Sequence, residues 1–337
     1  MVDRAPIFVV GAPRSGTTLL KDVLNRHSDV HLFNEVHFFE RIWDDRGRLG
    51  SLESELEMNR AVSVLHEMMC QHGSDGEVAA SLPLPLFKQK AESLGGGYPG
   101  LLRALLTTAA EMHAAQHWGD SSPQDVLYLS TLFTWYPNAR VIAMVRDPRA
   151  FMASYKNYYR RAMASYKERY NPLTASMLWR SYMTAAQNSQ NAAYAEKVRI
   201  QSYEDLVADP SSNVDAICKH VGIDFQPDML EVPRANSSYA PGEGRTGIFS
   251  SSKDRWREEL TPTELWLTER VCGPTMESLG YPSETGNRAL PPSFAEFAGI
   301  LSIVPSRLFN MLFRGRKTFR IEKLRRVISS LRNKDAQ

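Results

Sequence analysis

Cysteine is scarce in this chain. The three present, Cys70, Cys218 and Cys272, are scattered and form no C-x-x-C pair. That excludes a disulfide framework and argues against a thiolate metal site; a reducing cytosol suits such a chain. Long hydrophobic runs are lacking too, with no uninterrupted apolar stretch of the about 18 residues that a membrane-spanning helix needs. Neither sign of charge dominates. The 40 Lys and Arg against 38 Asp and Glu leave a net +2, which argues against broad nucleic-acid binding. There is no internal repeat. The first strand-like pattern begins almost at once, so no signal peptide is expected. What remains is the composition of a soluble globular protein, 43% hydrophobic and 23% charged over 337 residues. That length holds one large domain or two ordinary ones.

The most informative stretch runs from Pro6 to Glu35. Ile7-Phe8-Val9-Val10 reads as a buried strand. Gly11-Ala12-Pro13-Arg14-Ser15-Gly16-Thr17-Thr18 follows, then a helical pattern from Leu19 to Leu24. Strand, glycine-bounded loop and helix make an anion cradle: glycines allow a tight turn, and the amide groups and dipole of the helix start favour negative charge. The spacing is nearly that of a nucleoside-triphosphate loop, G-x-x-x-x-G-K-[ST]. The lysine of that motif is missing. Thr17 stands in its place, and the cation is Arg14, three positions earlier. The loop therefore suits a phosphate-like group without the triphosphate machinery. A plain βα turn with two glycines is the alternative.

Further on, Val30 to Phe33 reads as a second short strand ending at Glu35. Residues 44–118 read as a mostly helical insertion that caps one end of a sheet, the natural place for acceptor specificity. The core resumes at Trp118-Gly119-Asp120, followed by a helix carrying Val126, Leu129, Leu132 and Phe133. Val141 to Val145 is a continuous apolar run, as expected of a strand buried on both faces of a parallel sheet. Pro148 opens the next helix. A long helix is expected over 174–195, a strand at Val198 to Ile200, and a helix from Asp215 to Val221. Thr261-Pro262-Thr263-Glu264 spells a capping box. Alternating strands and helices imply right-handed βαβ units. The expected fold is a three-layer α/β, P-loop-like architecture with a central, mainly parallel sheet flanked by helices, over residues 1–290. A helical C-terminal extension, basic and amphipathic, covers 291–337.

The block Gly11 to Leu20 resembles the 5′-phosphosulfate loop of sulfotransferases that use 3′-phosphoadenosine 5′-phosphosulfate. The form with Arg in the loop is similar to tyrosylprotein sulfotransferases and many bacterial relatives. The likeness continues through His27 to Glu35, recurs at Gly119-Asp120 and Val141 to Ser154, and more loosely at Tyr203 to Phe225 and Lys253 to Leu260. The resemblance implies that Arg14, Ser15, Gly16, Thr17 and Thr18 hold the 5′-phosphosulfate, and that Arg146 and Ser154 grip the 3′-phosphate. Lys253 would add charge there from a late loop rich in Gly and Ser, which reads equally well as an ordinary flexible loop. The implied reaction moves a sulfuryl group to an acceptor hydroxyl by in-line displacement and leaves 3′,5′-bisphosphoadenosine. Arg14 would stabilise the leaving oxygen, so no metal is needed.

Glu35 is the candidate general base by the same resemblance, since the acceptor hydroxyl must lose a proton as it attacks. His37 is the reserve base. His37, Phe38 and Phe39 are candidate acceptor contacts that suit an apolar or lipid-like alcohol. One departure stands out: relatives place a Lys beside the Asp of the Gly119-Asp120 block, and here the neighbours are Gly119 and Ser121. Ser121 and Ser122 are left as weaker donors. The rival readings are a nucleotide kinase or NTPase, with Asp147 on magnesium, and a catalytically silent nucleotide-binding protein. His113 and His117 have metal-ligand spacing but no third ligand, and read as ordinary helix histidines. The basic segment, with Phe309, Met311, Leu312 and Phe313 on an apolar face, suits contact with the inner face of an anionic membrane or with a second copy through residues 294–334, and reads equally as a solvated helix packed on the domain itself.

Overall fold

A computed structural model describes residues 4–70, 84–162, 170–232, 247–248, 254–286 and 288–305. Five strands form one parallel sheet: β1 (Ile7–Gly11), β2 (Val30–Asn34), β3 (His117–Ser121), β4 (Arg140–Val145) and β5 (Val198–Ser202), in the order β2-β3-β1-β4-β5. The central strands β1 and β4 are buried almost throughout, and run in register from Ile7 opposite Arg140 to Gly11 opposite Met144. Because side chains alternate along a strand, Ile7 and Val9 serve one core and Phe8 and Val10 the other.

One face carries α1 (Thr17–Leu24), whose Leu20, Val23 and Leu24 pack with Ile7, Val9, Ile142 and Met144. The other face carries the larger core, which also takes in a set of helices between β2 and β3. These are α2 (Arg46–Leu49), α3 (Glu55–Cys70), α4 (Leu84–Ser93) and α5 (Gly97–Met112). Among the described residues of 44–118 most are helical, and the last two, 117 and 118, belong to β3. After β3 the chain winds as a tight 3-10 turn, Pro123–Tyr128, before α6 (Leu129–Trp135), where one helix was expected. The tighter winding carries Tyr128 inward, and its hydroxyl donates to Asp44 Oδ2 at 2.5 Å.

Beyond β4 come α7 (Pro148–Ala162) and α8 (Pro172–Asn188), the latter capped by Asn171, which accepts the Thr174 amide. α8 ends seven residues before the expected 195, giving way to short 3-10 turns. α9 (Tyr203–Ala208) and α10 (Pro210–Val221) follow β5 on the α1 face. Then come the one-turn α11 (Trp256–Glu259), α12 (Pro262–Ser278) with the expected capping box, and α13 (Phe294–Ser302). The basic C-terminal segment from 306 onward lies outside the described residues, as does Lys253.

The chain passes from β1 to β2 and β3 on one side, then returns to β4 on the other. The carboxyl ends of β1 and β4 therefore flank a topological switch point, where open α/β sheets form their ligand crevices.

Candidate active site

β1 ends in a close backbone approach. A Cβ on Gly11, at φ +144°, would lie 2.3 Å from the Met144 carbonyl oxygen of β4. The chain then turns: the Ser15 amide donates to the Ala12 carbonyl at 3.1 Å, and Arg14 (φ 67°) and Gly16 (φ 92°) take left-handed conformations. A Cβ on Gly16 would meet Tyr203 Cδ2 at 2.6 Å, so the Tyr203 ring rests on the loop. α1 starts at Thr17 with no side-chain cap and no acidic residue in its first turn. Its amino end thus keeps the positive field that an anion needs. The fully buried Ser15 Oγ has no hydrogen-bond partner. An orphaned hydroxyl under an open helix end fits a phosphate or sulfate group.

The end of β4 closes on that loop. Arg146, only 5% exposed, lays its guanidinium 4.3 Å from the Tyr203 ring centre, and its Nη1 donates to the Arg14 carbonyl at 2.9 Å. The Arg146 carbonyl accepts from the Trp179 indole at 3.0 Å, which fixes the backbone from the α8 side. Ser154, buried on the second turn of α7, lies 3.4 Å from Arg14 Nε. The Arg14 guanidinium also sits 5.3 Å from the Tyr158 ring. Residues taken from the sequence as two anion sites therefore meet in one cluster, with Arg14 linking them.

Asp147 is committed elsewhere. Its carboxylate pairs with Arg149 at 2.6 Å, and Arg149 reaches on to Glu269 at 3.1 Å while lying 4.5 Å from the Trp256 ring. A carboxylate held this way by a buried guanidinium is a poor magnesium ligand, and Thr17 replaces the triphosphate-loop lysine; both count against the kinase reading. Among the described residues no group of three or more His, Cys, Asp and Glu is placed to hold a metal.

Glu35 follows β2 in a strained turn. Both Glu35 (φ 52°) and His37 (φ 54°) are left-handed. Non-glycine residues adopt that conformation only when the surroundings over-determine it. Here β3 does so. Asp120 Oδ1 accepts the Val36 amide at 3.3 Å, and Ser122 Oγ accepts the His37 amide at 3.0 Å. Burial pushes Asp120 up to about 6, against hydrogen bonds from Ser122 and the Val36 and Ser121 amides that favour its charge. Asp125 is raised as well, by burial and then by Asp120. Glycine at 119 is required by the strand pairing, since a Cβ there would lie 1.7 Å from the Ile7 carbonyl oxygen. Ser122, one of the two weaker donors suggested for the missing lysine, is thus occupied in holding the turn.

His37 bridges two carboxylates. Its Nε2 is 3.4 Å from Glu35 Oε2 and its Nδ1 3.6 Å from Glu40 Oε2. Burial lowers its pKa, but hydrogen bonds and charge from Glu35 and Glu40 outweigh burial and raise it to about 9. At neutral pH His37 is a cation, which does not suit a general base. The Glu35 side chain is 42% exposed, while those of His37 and Glu40 are largely covered. Phe38 and Phe39 depart from the expected acceptor contacts. Both are fully buried, Phe39 stacked on Trp135 at 5.0 Å and Tyr128 at 5.3 Å, and Phe38 edge-on to Trp135 at 6.2 Å. Apolar rings after a strand pack into the core unless an opening is built for them, and these two join the main hydrophobic core. Nor do His113 and His117 share a helix: α5 ends at Met112, and His117 begins β3. His113 instead stacks on His31 at 3.9 Å.

The sulfotransferase family model matches residues 6–227. A Caenorhabditis briggsae protein named as a protein-tyrosine sulfotransferase is 20% identical over 307 residues, covering 87% of this chain and 93% of its own. Protein-tyrosine sulfotransferase A of Caenorhabditis elegans is 30% identical over 148 residues, 44% of this chain and 32% of that one. Among solved structures, the sulfotransferase domain of the Synechococcus PCC 7002 olefin synthase superposes with a TM-score of 0.53 at 20% identity, over 84% of this chain and 98% of that domain. The chain belongs to the sulfotransferase family. The family match makes the chain a sulfotransferase enzyme, and the likeness to the solved domain agrees on the α/β fold.

Proposed function

We propose that this enzyme transfers the sulfuryl group of 3′-phosphoadenosine 5′-phosphosulfate to the hydroxyl of an acceptor. The observation that carries the reading is the cluster of Arg14, Arg146 and Ser154 beside the uncapped start of α1. A donor with an anion at each end needs cationic and hydroxyl groups on both sides of one crevice. The Gly16, Thr17 and Thr18 amides and the Ser15 hydroxyl would hold the 5′ end; Arg146 and Ser154 would hold the 3′-phosphate. The donor supplies an activated sulfuryl group on a stable leaving group. The chain supplies the rest. Arg14 offers a fixed guanidinium to the leaving oxygen, and its own carbonyl is held by Arg146. Glu35 takes the acceptor proton, and His37 holds the carboxylate that does so. No metal enters this scheme.

The acceptor is a hydroxyl compound reaching Glu35 from the helical cap. Relatives named for protein tyrosine make phenols one class to test, beside carbohydrates and lipid alcohols. A panel of the three classes, incubated with donor carrying radiolabelled sulfate, should yield at least one labelled product with the full chain. Tight binding of 3′,5′-bisphosphoadenosine with no labelled product across the panel would instead favour a catalytically silent nucleotide-binding protein.

A further inference from the structure

The two sides of α13 differ. Ile300 is nearly buried, Phe297 stands edge-on to Trp266 at 5.6 Å, and the Ile300 carbonyl accepts from Asn171 at 2.8 Å. This side anchors the helix to α12 and α8. On the outer side Phe294 is 63% exposed and Leu301 40%, with Leu290 just before the helix at 60%. They are three of the eight large apolar side chains that stand exposed among the described residues, gathered within twelve positions. Phe294, Ala298, Leu301 and Pro305, all exposed, follow the spacing of one helical face. Between Ala289 and Pro305 the only charged residue is Glu296, and the Thr261 hydroxyl donates to its carboxylate. The outer face thus carries no charge of its own.

The chain continues beyond this face with a marked change in charge. Residues 306–337 hold ten Lys and Arg against two acidic residues, a net +8, which leaves −6 for residues 1–305. An uncharged apolar face joined directly to such a basic segment matches what an anionic bilayer surface recognises. The apolar side chains enter the headgroup boundary, and each nearby Lys or Arg adds about 1 kcal/mol of attraction to anionic lipid. A second copy docked face to face through α13 fits less well, because it would bring the two basic segments together.

We infer that the outer face of α13, with the basic segment that follows it, docks the enzyme on an anionic lipid surface. The test is co-sedimentation of the full chain with vesicles of phosphatidylcholine alone and of phosphatidylcholine mixed with phosphatidylglycerol. The full chain binds the mixed vesicles and not the neutral ones, and binding weakens as salt rises. The double variant Phe294→Asp, Leu301→Asp binds the mixed vesicles at least about tenfold more weakly with an unchanged thermal melt, and Phe294→Leu binds as the parent does. The inference is overturned if the parent ignores mixed vesicles. It is equally overturned if the double Asp variant binds them undiminished, since the helix face is then not the contact. Dimerisation of the parent that the Asp variant abolishes, with no vesicle binding, assigns the face to a second copy and also overturns it.

Discussion

Arg146 donates its Nη1–H to the main-chain carbonyl of Arg14 at 2.9 Å, so the loop after β1 and the end of β4 are one unit. On the proposed reading Arg146 then has two tasks, presenting charge to the donor and shaping the loop. Lysine keeps the charge but not the planar fork, nor the contact with the Tyr203 ring. Arg146→Lys should lose about 1–3 kcal/mol of stability in urea unfolding and weaken 3′,5′-bisphosphoadenosine binding about 10- to 100-fold. An Arg146→Lys protein as stable as the parent would show that the carbonyl contact contributes nothing to the loop.

Glu35 should matter to the rate and not to the donor. Glu35→Gln keeps the size and hydrogen-bonding reach of the side chain but removes its basicity. Turnover should fall by about 10²- to 10⁴-fold, while calorimetric affinity for 3′,5′-bisphosphoadenosine stays within a few-fold. Equal turnover in variant and parent would remove Glu35 from the chemistry.

His37 gives the enzyme an alkaline limit. Its folded pKa is raised to about 9 from the ordinary 6.5, so the folded state holds the proton more tightly than the unfolded chain. The resulting stabilisation is complete below the ordinary value and drains away as pH rises toward about 9. The two carboxylates paired with His37, Glu35 and Glu40, both favour the same direction. In urea titrations across this range the parent should lose stability as pH rises, and His37→Gln should lose much less. Turnover of the parent should show a matching alkaline limb that the variant lacks.

His31 has the opposite sign. Burial first, then the charges of His113 and Lys21, lower it to about 4. The unfolded chain binds the proton more readily, so stability falls as pH drops from the ordinary histidine range toward about 4. His31→Phe keeps a ring against His113 and should flatten that acid limb in urea titrations, leaving the alkaline one unchanged.

Most of the frame could be read from the sequence, for identifiable reasons. β1 and β4 are continuous apolar runs because both their faces are covered. The loop between β1 and α1 is written in glycines that nothing larger can replace. β3 was harder: His-Trp-Gly-Asp-Ser has neither an apolar run nor an alternation, yet all five residues are buried. Asp120 goes inside because it clamps the turn that carries Glu35, together with Ser122 just past the strand, and His117 meets Arg4. The signal was present as polar residues crowded around Gly119, but only the fold shows what Asp120 and Ser122 hold. The role of Glu40 was invisible for the same reason, since it meets His37 only once residues 39–43 wind as a π-helix. Phe38 and Phe39 misled because aromatic residues beside a candidate base look like a pocket whether they face outward or inward.

The account rests on one crevice in which Arg14 and Arg146 together hold a doubly anionic adenylate. The most direct measurement is a calorimetric titration of 3′,5′-bisphosphoadenosine into the parent and into the Arg14→Ala, Arg146→Ala double variant. The account predicts saturable one-to-one binding to the parent and a loss of at least about 100-fold in the double variant, the size expected from removing two charge-assisted contacts. Absence of binding to the parent, or equal affinity in the two proteins, would contradict it.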